Sequence, residues 1–81
     1  MRRYTDPENQ RYVYYVRETV NGYAIQVLNT DRDERYPLTP SIAAQCGLQT
    51  GDVLTSHSCT REAAEAQLEE LAKMNGLTAI E

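Results

Sequence analysis

Two strand-like runs, Arg11–Val20 and Tyr23–Asn29, are separated only by Asn21-Gly22. Asn-Gly between alternating apolar runs is the strongest short-range hairpin signal, because both central residues of a type I′ turn need positive φ. The turn predicts a register in which Val20 faces Tyr23, Glu18 faces Ile25, Val16 faces Val27 and Tyr14 faces Asn29. Alternation then sorts the hairpin into two faces. One carries Tyr12, Tyr14, Val16, Val20, Tyr23, Ile25 and Val27, with Glu18 its only charge; this is the expected core face. The other carries Arg11, Val13, Tyr15, Arg17, Thr19, Ala24, Gln26 and Leu28. The tyrosine cluster "YVYY" is thereby divided: Tyr12 and Tyr14 go inward, and Tyr15 goes outward between two arginines.

The remainder of the 81-residue chain builds an α+β domain around that hairpin. Residues 1–10, with Pro7 among polar residues, read as an N-terminal arm, which leaves 11–81 as a single domain. "NTDRDERYP" (29–37) reads as a charged loop. Thr39 and Pro40 are suited to the N-cap and first position of a short helix through Cys46, with Gly47 leaving it in the left-handed conformation and Leu48 making the apolar contact beyond. "QTGD" leads into a predicted third strand, Val53–Cys59. A longer helix follows, capped by Thr60, with Glu62 in its positively polarised first turn, Ala64, Leu68, Leu71 and Ala72 on one side, and Gly76 at its end. "LTAIE" (77–81) is a short closing strand. The expected order is β-β-α-β-α-β: a small, mainly antiparallel sheet covered on one face by the long C-terminal helix. Val16, Ile25, Val27, Val53, Ala64, Leu68, Leu71 and part of the tyrosine set form the expected core.

Charge is uneven along the chain, whose formal net charge is −4. In the first 35 residues six acids meet six arginines, whereas beyond them Asp52, Glu62, Glu65, Glu69, Glu70 and Glu81 face only Arg61 and Lys73. The acidic half disfavours phosphate-backbone binding by that half, since such affinity comes from Lys and Arg displacing counterions. "MRRYTDPENQ" has no apolar stretch behind its arginines and no apolar run approaches the ~20 residues of a membrane helix, so cytoplasmic residence without membrane contact is expected.

Candidate chemistry is sparse. His57 and Cys59 share a strand face, and a thiol beside an imidazole is how a cysteine nucleophile is activated, but no third orienting group or oxyanion loop accompanies them. Cys46, His57 and Cys59 lack the paired spacing of a zinc knuckle. A packed thiol and a surface histidine are the simpler reading, and neither catalysis, a cofactor nor a metal is expected. Glu62, Glu65 and Glu69 form a stripe at i, i+3 and i+7. In the simpler reading it is a solvated face with i, i+4 pairs Arg61–Glu65 and Glu69–Lys73; in the sharper one, spaced carboxylates mimic phosphates for a basic partner, as could Asp31, Asp33 and Glu34 in the charged loop. Tyr15 with Arg11 and Arg17 offers a stacking ring and phosphate contacts to nucleic acid.

"SIAAQCGLQTGDVL" (41–54) resembles the helix–turn–strand segment of PDZ domains through Ala43, Ala44, Gly47, Leu48, Gly51, Asp52 and Leu54. "NGYAI" (21–25) resembles that family's carboxylate-binding loop through Gly22, Tyr23 and Ile25, with Ala24 at its second glycine. The resemblance implies a peptide C-terminus adding as a strand beside Tyr23–Asn29 in a groove walled by helix 61–74. In size and charge alone the chain resembles phage- or mobile-element-encoded inhibitors such as anti-CRISPR proteins. That implies a non-catalytic module binding a protein partner, a nucleic-acid-handling host enzyme, through its surface. Tyrosine and arginine are residue types enriched at interface hot spots, which agrees with a protein partner. A self-pairing edge strand would make a dimer, and the sequence leaves monomer and homodimer both open.

Overall fold

The computed structural model describes residues 2–49 and 60–80. Its strands are β1 (Arg3–Asp6), β2 (Asn9–Thr19), β3 (Gly22–Asn29), β4 (Glu34–Pro37) and β5 (Thr78–Ala79), and its helices α1 (Pro40–Gln45) and α2 (Arg61–Asn75). The strands form one antiparallel sheet in the order β4-β3-β2-β1-β5. The architecture is therefore α+β as expected, but the sheet is wider at both edges. The strand expected at Val53–Cys59 lies outside the described residues.

Residues 3–6, expected to belong to a polar arm, pair with β2 instead, Tyr4 standing opposite Tyr14. Pro7 does not end the structure; it stands in the tight turn to β2, where the Asp6 carboxylate accepts the Glu8 N–H at 2.9 Å. Tyr4 supplies the gain that anchors this strand, being buried in the core. Part of the expected charged loop is likewise a strand. β4 carries the charges and the proline that suit an edge, where they block pairing with another chain.

The hairpin forms with a register two residues away from the expected one. Thr19 pairs with Gly22, Val16 with Ile25, and Tyr14 with Val27. Val20 and Asn21 make the turn, and only Gly22 takes positive φ, at 133°. The Thr19 hydroxyl accepts the Asn21 N–H and donates to the Gly22 carbonyl, both at 3.3 Å. The reason lies in what the two registers put together. Each register has two apolar pairs, but the expected one sets the fully buried Tyr14 against Asn29 and Glu18 against Ile25, whereas the observed one gives Asn29 to the less buried Tyr12 and places Glu18 near the turn opposite Tyr23. Its cost is Val20, expected inward and in fact 100% exposed at the tip. A slip of two leaves every side chain on its original face, so the division of Tyr14 from Tyr15 stands.

Both helices have the expected caps. Thr39 accepts from Ile42 N–H and Thr60 from Ala63 N–H, each at 3.2 Å. After α1, Leu48 N–H reaches the Ala43 carbonyl and Gly47 N–H the Ala44 carbonyl, at 2.9 and 3.1 Å, the paired closure that requires the left-handed Gly47. α2 lies against β2 and β3 and buries Ala64, Leu68, Leu71 and Ala72. With Tyr4, Tyr14, Val16, Ile25, Val27, Ala43, Cys46, Leu48 and Leu77 these form one core on one side of the sheet. Asn75 fastens the helix ends together, accepting from Gln49 N–H at 2.8 Å and donating to the Gln49 carbonyl at 3.2 Å. No described helix is long and apolar enough to cross a membrane.

Candidate functional site

With both described helices on the Tyr14 face, the opposite face is built from strand register alone. One cross-strand row runs Arg3–Tyr15–Gln26–Pro37 and the next Thr5–Val13–Leu28–Arg35; Arg17 follows beside Ala24. Arg3, Arg17 and Arg35 thus come from three different strands and, with Tyr15, Val13 and Leu28, line one shallow depression of about 340 Å³. Glu18 stands at its rim as the one carboxylate among the lining residues.

Polar contacts hold two of its lining residues, Tyr15 and Arg17, in place. The Tyr15 hydroxyl donates to Gln26 Oε1 at 2.9 Å, and Arg17 Nη1 donates to the same oxygen at 3.5 Å. A guanidinium can only donate, so the shared atom must be the carbonyl oxygen and the Gln26 amide nitrogen must point the other way. Gln26 is 8% exposed. Its amide hydrogens have no partner among the described residues. The Arg3 guanidinium lies over the Tyr15 ring, 5.9 Å from its centre, a cation–π contact of about 0.5–1 kcal/mol at an exposed position.

Of the residues expected at this face, Tyr15 and Arg17 are in place, but Arg11 is not part of the depression. It stands at the far end of β2, over the Tyr12 ring at 5.8 Å and 3.9 Å from the Asp31 carboxylate. Arg3 and Arg35 were not anticipated, because each belongs to a segment that did not read as a strand. Strand alternation would have found Arg35 had "ERYP" been paired with β3.

The acidic candidates fall at two other places. Asp31, Asp33 and Glu34 lie at the β3–β4 connection, where each has a local partner or role. Asp31 faces Arg11 and its N–H is held by Asn29 at 3.1 Å, Asp33 takes the one positive φ of a described non-glycine residue (52°), and Glu34 accepts from the Tyr36 hydroxyl. Arg32 lies among them and Arg11 faces Asp31, so the turn is of mixed charge rather than an acidic surface. Glu62, Glu65 and Glu69 do share one side of α2, bordering a groove of about 530 Å³ with Arg2 and Tyr4. Glu65 pairs with Arg61 at 3.7 Å. The Glu69–Lys73 pair does not form; Glu69 acts on Arg2, whose charged form is favoured by the Tyr4 phenol first and then by Glu69 and Glu65.

Chemistry that needs a reactive thiol finds little support among the described residues. Cys46 is a buried free thiol whose pKa burial pushes up, away from thiolate. It faces the Tyr14 hydroxyl, which burial likewise holds protonated. That hydroxyl has no hydrogen-bond partner of ordinary geometry, a thiol being a weak acceptor. His57 and Cys59 lie outside the described residues, and no group of three metal-ligating side chains gathers among the described ones. β3 is flanked by β2 and by β4, and Leu38 N–H extends the second flank to the Ile25 carbonyl at 3.0 Å. A peptide strand beside Ile25–Asn29 would have to displace β4.

No protein-family model, curated protein or solved structure matches this chain. The arrangement of its own side chains is therefore what speaks for function.

Proposed function

We propose that the protein is a non-catalytic binding module that holds an anionic partner on the face of its sheet opposite the two described helices. The observation that carries this reading is the convergence of Arg3, Arg17 and Arg35 from three strands on one depression, in a chain whose net charge is −4. Guanidinium groups present forked donors suited to phosphate and carboxylate, and their number here exceeds what one rim carboxylate neutralises. The acidic stripe on α2 is a weaker candidate, because Arg61 already pairs with Glu65.

Retention on immobilised heparin tests the reading, since a net negative protein is held only through a local basic face. The wild type is expected to bind and to elute with salt. Arg17→Glu with Arg35→Glu is expected to flow through with an unchanged thermal melt, while replacing Glu62, Glu65 and Glu69 by Gln leaves retention intact. Flow-through of the wild type, or equal retention of the arginine variant, refutes it.

A further inference from the structure

We infer that the anion this face holds is a single strand of nucleic acid, an inference that rests on the polyanion reading above and adds two observations to it. The first is breadth. Arg3 on β1 and Arg35 on β4 stand at the two sides of a four-strand span, about 14 Å at ~4.8 Å per strand. Cations spread over that width suit successive phosphates of a polymer better than one phosphate. The second is the ring. Tyr15 lies between those cations, partly buried, with the exposed Arg3 guanidinium over it; phenol and guanidinium planes are both surfaces on which unpaired bases stack, and a paired base offers no such face. An acidic protein surface has no need of a stacking ring among the cations.

Fluorescence anisotropy with labelled oligothymidylate and oligouridylate of about 20 nucleotides, longer than the ~4–16-nucleotide footprint of a small domain, tests this directly. Both strands are expected to bind, and their comparison separates DNA from RNA. Three phosphate contacts predict that log K falls with log salt at a slope of about −2, and Arg17→Ala or Arg35→Ala should each reduce that slope by about 0.7. Tyr15→Leu, which keeps the apolar cover and removes the ring, is expected to weaken binding about tenfold, with Tyr15→Phe restoring most of it. Arg61→Ala, on the far side of the molecule, should change nothing.

Equal binding of a duplex of the same length overturns the single-strand assignment, and a mononucleotide that competes as well as the oligomer overturns the polymer. Heparin retention without oligonucleotide binding overturns this inference and leaves the polyanion face standing, with an acidic protein surface as its partner. Loss of both overturns the two together.

Discussion

Tyr14 and Tyr15 are neighbours on one strand, and they show how differently the two faces of the sheet are made. Tyr14 is 0% exposed among Val16, Val27, Leu68 and Leu71, and its hydroxyl finds no proper partner. Tyr15 is only partly buried, yet its hydroxyl is held at 2.9 Å by Gln26 and the Arg3 guanidinium lies over its ring. The core face accepts an unsatisfied polar atom in exchange for a large buried ring. The open face keeps its polar groups arranged while burying only Val13 and Gln26 fully. A face that served stability alone would have no reason to gather cations from three strands, whose mutual repulsion it must then bear. Substitutions should accordingly separate into those that cost folding and those that cost binding.

The largest separation is expected between Leu68 and Arg17. Leu68→Ala removes a side chain that is 1% exposed at the centre of the core, and should cost about 2–5 kcal/mol in urea denaturation. Arg17→Ala should stay within about 0.5 kcal/mol while abolishing much of the polyanion binding. If Arg17→Ala destabilises as Leu68→Ala does, the open face is a second structural face and not a recognition surface.

The hairpin turn gives the next largest effect, and it also marks how far the sequence could be read. Gly22 alone in the turn has positive φ, so Gly22→Ala should cost about 1–3 kcal/mol, whereas Asn21→Ala should cost less than about 0.5 kcal/mol. A type I′ Asn-Gly turn would make both costly. Thermal melts of the two variants therefore test the register directly. The faces were legible because parity survives a slip of two residues; the register was not, because Asn-Gly fits either position and the choice falls to the packing of the buried Tyr14 and Val16 against Val27 and Ile25. The helix caps Thr39, Thr60, Gly47 and Gly76 were legible because each satisfies its neighbours within a few residues. β1 and β4 were hidden for a common reason: an edge strand carries charge and proline by necessity, and those are also loop signals. The candidate site depended on those two strands, so only Tyr15 and Arg17 of it could be seen beforehand.

Alkaline pH distinguishes the faces in a different way. Burial raises the pKa of Cys46 and of Tyr14 above their ordinary values of 9.0 and 10.0. A raised folded pKa means the folded state holds its proton where the unfolded chain has released it. The stability from these two groups is complete below pH 9 and falls as pH rises past it, by at most about 1.4 kcal/mol per pH unit for each group. Denaturation midpoints should thus drop more steeply above pH 10 in the wild type than in Tyr14→Phe. Identical profiles would mean that the Tyr14 hydroxyl reaches water.

The same hydroxyl supplies the smallest and most discriminating comparison. Tyr14→Phe deletes a buried polar atom that has no good partner, so at neutral pH it should leave stability unchanged or raise it by up to about 1 kcal/mol. Tyr15→Phe deletes a hydroxyl that is bonded, and should lower stability by about 0.5–1.5 kcal/mol. The signs differ although the chemistry removed is identical, because the net value of a hydrogen bond is set by what each group would otherwise do in water. A loss on Tyr14→Phe as large as that on Tyr15→Phe would mean that the Cys46 thiol is a real acceptor for the Tyr14 proton. Measuring Tyr14→Phe again in a Cys46→Ala background then decides the point. If the thiol contributes, the loss disappears with it, and if burial alone governs the site, the two backgrounds give the same small change.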